Sequence, residues 1–364
     1  MTTYKYNYIA SGSYGCVISP SHSCEGKPET NTQNISKLFN EIELFKDEVI
    51  IQTYIQEQID PTGNFTVKMI NSCSSKNKDF LPKIKDFNKC ELINERTPII
   101  YQINYEYGGI DLSVLVEEHF RIIDKTVLKS FINIFKGISV LNAKSIIHHD
   151  IRLNNIVYDI IKKKFSLIDF GLMTTGDKIY DSNILLNETH KYFLTYLTFP
   201  PEYSFIYNAL YNNNNPIHVN SINTYKFIDE LENYFKEINQ LLKKCNKQNK
   251  VYLKKIIEIK KLLIDVVKIS TTVTLFISDI NDKENYFINL LKKDDKIKQK
   301  IDVYMLGLTL YYFIYLTIYN KIKSNISIDI PIKIFDLIKK MVDINPFTRI
   351  SIEEATTEYE QLFA

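Results

Sequence analysis

Residues Val303 to Asn320 read VYMLGLTLYYFIYLTIYN, eighteen positions without a charge. Such a run either crosses a bilayer or lies in the middle of a sizeable core, because water will not hold it. Asp302 abuts one end, Lys321 the other, and Tyr, Thr and Gly dilute the run. These features predict a buried core helix, around which a large helical body must be built. Hydrophobic residues make up 45% of the 364-residue chain, enough for that core and against global disorder.

The chain ahead of this run has two characters. In the first hundred residues, Lys5–Ala10 and Cys16–Ser19 flank a glycine turn, Asn34–Phe39 and Pro98–Tyr107 read as further strands, and 60–80 as a polar loop insertion. Glu41–Ile59 has helical spacing, with Leu44, Ile51, Ile55 and Ile59 near one face. After Gly108-Gly109, Val127–Leu141 is an amphipathic helix and helices dominate. The segment 203–300 stands apart: NNNNP at 212–216 reads as a linker, and Phe227–Lys268 as two helices. From Lys236 to Lys268, ten lysines face three acids. A solvated helix face is the ordinary reading of that run; a docking surface for acidic partners is the other.

The net charge of +2 implies no general pull toward nucleic acid or a membrane surface. Cys16, Cys24, Cys73, Cys90 and Cys245 are odd in number and without CxxC spacing. They read as free thiols of a reducing compartment. MTTYKYNYIASGS lacks the apolar stretch of a signal peptide. Together these predict a cytoplasmic protein.

Four constellations carry chemistry. In SGSYGCV (11–17), Gly12 and Gly15 let backbone N–H groups approach phosphate oxygens, although GxxG alone is often a plain turn. Lys37 lies in the apolar strand NISKLF and needs an anionic partner if its ammonium is buried. Glu48 falls on the inward stripe of the following helix and is the plausible partner, with Glu41 and Glu43 as alternatives. Asp150 and Asn155 in HHDIRLNN, and Asp169 in SLIDFGL, offer hard oxygen ligands of the kind Mg²⁺ prefers, and a base for a hydroxyl proton. Asn155–Asp159 and Phe165–Ile168 read as a hairpin.

Glycine loop, strand lysine, HxDxxxxN and DFG in this order resemble the eukaryotic-type protein kinases. The likeness covers nearly the whole chain, with 203–300 outside it. It implies an α+β, bilobal protein-kinase fold in one domain, 1–364: a small β-rich N-lobe (1–105) with one helix, and a larger α-helical C-lobe (106–364) with a Lys-rich helical insertion at 203–300. SGSYGCV resembles the Gly-rich loop, with Ala10 at the usual first glycine and Val17 after it. Lys37 resembles the lysine that holds the α/β-phosphates and Glu48 its helical partner. YEYGGIDL (105–112) is similar to a hinge: Tyr105 as gatekeeper, Glu106 to Gly108 offering backbone groups to adenine, Asp111 for the ribose, and Val157 lining the nucleotide site. FPPE (199–202), DVYMLG (302–307) and NPFTR (345–349) resemble later landmarks of peptide-binding kinases, with Arg349 pairing Glu202.

The resemblance implies ATP and Mg²⁺ as cofactors, with Asn155 and Asp169 on the metal, Asp150 as base and Arg152 at the transferring phosphate. The partner is a protein with a Ser/Thr acceptor, favoured over Tyr by Thr195; no nucleic acid or membrane is implied. His149 replaces the usual arginine of HRD, and a histidine answers a phosphorylated activation segment only weakly near neutral pH. Other readings of the same residues are a pseudokinase-type scaffold or a small-molecule kinase. The AT-rich composition and the insertion look like kinases of giant DNA viruses or AT-rich protists, whose setting would be a host cytoplasm or a virion.

Overall fold

The computed structural model describes residues 5–12, 15–24, 33–76, 81–94, 96–175, 236–277, 295–343 and 345–364. It is a mixed α+β chain, with a small N-terminal sheet and a helical C-terminal region. Thr195, Glu202, the 212–216 linker and much of the 203–300 insertion lie outside the described residues. Two compact units divide it: residues Met1–Ile110 with Val157–Gly171, and Asp111–Ile156 with Leu172–Ala364.

The first unit is built on β1 (Tyr6–Ser11), β2 (Cys16–Ser19), β3 (Ile35–Phe39), β4 (Met69–Lys76), β5 (Ile84–Lys85) and β6 (Ile99–Tyr105), in the order β4-β6-β3-β2-β1-β5. Alternation gives β3 two faces. Ile35, Lys37 and Phe39 look toward helix α1 (Ile42–Tyr54), which ends in a π-helical turn, Ile55–Ile59. Phe39, Ile103 and Tyr105 pack there with Leu44, Phe45 and Val49. Leu38, on the other face, joins Cys16, Ile18, Ile84, Cys90 and Ile100.

That second face corrects two expectations. Cys16 is bonded to Cys90 and Cys24 to Cys73, so four of the five cysteines are disulfides and only Cys245 is a free thiol. Scattered spacing hid them because each bridge joins segments that meet only through sheet pairing, at separations of 74 and 49 residues. Residues 69–76, read as loop, form β4 at the sheet edge. MINSCSSK is too polar to announce a strand, since an edge strand solvated on one side can carry serines and asparagine.

Short β7 (Ile110–Asp111) follows the double glycine. After it come α2 (Leu112–Glu118), α3 (Lys125–Ser130), α4 (Ile132–Ala143) and β8 (Ile146–Ile147). The amphipathic stretch expected as one helix is therefore two, meeting at Phe131, whose ring stacks on Phe313 at 5.9 Å. β9 (Ile156–Asp159) and β10 (Lys164–Leu167) form the expected hairpin, and β11 (Thr174–Thr175) pairs with β8.

Helices α5 (Lys247–Ile277), α6 (Asp295–Lys323), α7 (Ile334–Met341) and α8 (Ile352–Gln361) complete the second unit. α6 contains the uncharged run, and its most apolar window is 89% buried, as expected of a core helix. Gly307 lets α7 approach it, since a Cβ there would press on Met341. α5 buries Tyr252, Leu253, Ile256 and Ile259 and leaves Lys247, Lys254 and Lys261 exposed. Its Lys255 pairs with Asp336 of α7 at 3.0 Å.

Candidate functional site

In the first unit, the β3 lysine finds its partner. Lys37 Nζ lies 2.9 Å from Glu48 Oε1 and 3.8 Å from Asp169 Oδ1. Glu43 instead faces Lys46, and Glu41 precedes α1 without a side-chain cap bond, so the alternatives to Glu48 fall away. The lysine side chain is 17% exposed and the glutamate 10%, a degree of burial at which each charge needs the other. The Tyr105 hydroxyl donates to the same Glu48 oxygen at 3.0 Å. Burial, and then the Glu48 charge, push that phenol well above its ordinary pKa, so it stays a donor.

The glycine turn closes through Gly12 N–H to the Gly15 carbonyl at 2.8 Å. A Cβ on Gly15 would collide with the Leu38 carbonyl oxygen, so only glycine lets the turn lie this close to β3. Val17 pairs with Lys37 across β2 and β3, and Ala10 with Val17 across β1 and β2, beside an irregularity in register. The Glu106 N–H donates to the Lys68 carbonyl at 3.0 Å. Gly108 lies against the side chains of Val67 and Val157. At Gly109, with φ +108°, a side chain would run into the Tyr158 backbone.

Asp169 has φ +63°, a left-handed conformation that a non-glycine residue holds only when its surroundings impose it. A support close to it in the chain went unforeseen in the sequence. Asp60, buried after the π-helical turn, accepts from Asn64 N (2.7 Å), Phe65 N (2.9 Å), Thr66 N (3.0 Å) and the Thr66 hydroxyl (2.9 Å). The loop so held receives the Leu167 N–H on the Phe65 carbonyl at 2.7 Å, two residues before Asp169. An Asp directly ahead of a PTGN turn was the available signal.

In the second unit, Asp150, Arg152 and Asn155 cluster. Asn155 Nδ2 donates to the Asp150 carbonyl at 2.9 Å and to its Oδ2 at 2.6 Å, while Arg152 Nε stands 3.2 Å from Oδ1. The loop that carries them hangs on Asp302, inside α6 just ahead of its uncharged run. Its two oxygens accept the His148 and His149 backbone N–H groups at 2.8 and 3.1 Å. Burial pushes Asp302 up to about 7, against the pull of those two N–H groups. Thr309 adds a hydroxyl bond to the Ile151 carbonyl at 3.0 Å. His149, at φ +65°, places Nε2 2.5 Å from the Thr174 hydroxyl. Asp111 caps α2 by accepting from Ser113 and Val114 N–H at 2.8 and 3.1 Å. Arg349 is buried, with Nε on the Asp343 carbonyl at 2.9 Å and its guanidinium 4.9 Å from the Tyr304 ring.

Chemically, the first group is a fixed cation beside a partly exposed carboxylate, suited to phosphate oxygens. The second is a carboxylate with its oxygens oriented by an amide and a guanidinium, suited to accepting a proton. The donors also fit Mg²⁺, which keeps water and phosphate in its shell and asks the protein for only one or two oxygens. Taken each in its own unit, Asp169 is 32% exposed, and Asn155 has its amide nitrogen engaged by Asp150. Among the described residues no three His, Cys, Asp or Glu side chains gather to hold a metal by themselves. No protein-family model matches the chain, and no curated protein matches it in sequence.

Proposed function

We propose that this chain is a protein serine/threonine kinase with the bilobal kinase fold, transferring the γ-phosphate of MgATP to protein hydroxyls. The observation that carries the reading is the buried Lys37–Glu48 pair with Asp169 3.8 Å from the lysine, three residues brought from 37, 48 and 169 into one group. Structural ion pairs are common, but a partly exposed Asp in left-handed conformation beside one is costly unless used.

In this reading Lys37 binds the α/β-phosphates and Glu48 keeps its ammonium from folding back onto Asp169. The glycine turn lets backbone N–H groups reach phosphate oxygens. Asp169 and Asn155 are the residues that would hold Mg²⁺, which would supply charge neutralisation at the phosphates. Asp150 orients the acceptor hydroxyl and takes its proton, a contribution of about 10²–10⁴ in rate. Arg152, already on Asp150, compensates the carboxylate and faces the transferred group. Most of the acceleration comes from alignment and charge neutralisation. Preference for Ser/Thr rests on Thr195 and the protein substrate on the FPPE, DVYMLG and NPFTR motifs.

Calorimetric titration with MgATP tests the reading. Wild type should bind and Asp169→Asn should bind at least about tenfold more weakly in Mg²⁺. Binding without transfer to any protein would instead mark a scaffold, and transfer to metabolites alone a small-molecule kinase.

A further inference from the structure

The Tyr105 hydroxyl calls for an explanation that packing does not supply. Its ring completes an apolar cluster with Phe39, Ile103 and Met69, which a phenylalanine would fill equally well. A buried hydroxyl costs stability unless it is bonded. The bond it makes is to Glu48 Oε1 at 3.0 Å, the oxygen that already accepts Lys37 Nζ at 2.9 Å.

The two donors come from adjacent strands with a fixed register. Ile35 pairs with Tyr105 and Lys37 with Ile103 across β3 and β6. Tyr105 and Lys37 are therefore diagonal neighbours on one sheet face, and their spacing cannot change without breaking the ladder. Tyr105 also pairs with Met69 of β4, so it sits on an inner strand of the sheet, bonded on both sides. Lys37 alone would leave Glu48 free to swing about one contact. Two donors converging on a single oxygen define the carboxylate's position and with it the rotation of α1 against the sheet.

We propose that Tyr105 is a positioning residue: it acts through Glu48, fixing the carboxylate so that Lys37 is presented to the nucleotide phosphates as a standing feature of the fold. The inference rests on the phosphotransfer reading. Burial of the phenol keeps it protonated and donating, consistent with that role.

The test is a double-mutant cycle of Tyr105→Phe and Glu48→Gln, read by KM for ATP, kcat, and calorimetric MgATP affinity, with melting curves as a check on folding. Tyr105→Phe should raise KM and weaken MgATP binding by about fivefold to tenfold, with kcat within about twofold. In the Glu48→Gln background the same change should add less than about twofold. An unchanged KM and affinity in Tyr105→Phe, or an equal loss in both backgrounds, overturns the assignment while leaving phosphotransfer standing. Wild type that binds no MgATP and transfers no phosphate overturns both.

Discussion

Lys37 and Glu48 meet at 2.9 Å although one lies in a strand and the other eleven residues on, in a helix. The turn from β3 into α1 is short, so the helix starts almost at once and its second turn faces the sheet. Leu44, Phe45 and Val49 anchor that face, and the glutamate among them is largely buried.

Breaking the pair should therefore be expensive twice over. Lys37→Met leaves Glu48 buried with only the Tyr105 hydroxyl, and should destabilise the protein by about 2–4 kcal/mol. It should also weaken MgATP binding at least tenfold. Urea unfolding and calorimetry on the same variant separate the two effects.

Asp150 is expected to act on the rate and not on nucleotide binding. Asp150→Asn should lower kcat by about 10²–10⁴ and leave MgATP affinity within about threefold. Steady-state kinetics beside a binding titration check this; a loss confined to affinity would contradict the role.

Asp302 gives a pH dependence with a definite sign. Its folded pKa, about 7, lies above the unfolded carboxylate value near 4. Between those values the native state binds the extra proton, so this group's contribution to stability is largest below about pH 4 and falls as pH rises to about 7. Asp302→Asn should flatten that part of the stability–pH curve, measured by denaturant unfolding from pH 4.5 to 8. It should also lower activity, because one amide oxygen cannot accept both His148 and His149 N–H groups in the observed geometry.

The disulfides predict a thiol count. The unfolded, unreduced chain should show one reactive thiol, Cys245, and all five cysteines should titrate only after reduction. Reduction should destabilise the first unit by about 2–4 kcal/mol per bridge. Five titrating thiols would return the cysteines to the reducing-compartment reading.

What could be read from residue order was whatever depends on local pattern. The uncharged run demanded a buried helix, the apolar segment around Lys37 a strand, and NIVYD with FSLI a hairpin. The strand and the hairpin formed within about a residue or two of their expected ends, as did α1 apart from its final π-helical turn, whereas α6 extends beyond the uncharged run to Asp295 and Lys323. Long-range pairing stayed hidden. Nothing local marks Cys16 for Cys90, or Asn71 and Cys73 for a sheet edge, because both depend on which strands become neighbours. The same holds for the site. Glu48 could be chosen only by its stripe, and Asp60 only by the turn that follows it, whereas the supporting bonds of Tyr105 and Asp302 show themselves only in the folded chain.

The most direct measurement is transfer of ³²P from labelled ATP to a generic basic protein, wild type against Asp169→Asn at equal folded concentration. The account predicts a labelled acceptor with wild type and a signal lower by about two orders of magnitude or more with the variant. Equal labelling by the two proteins would contradict it.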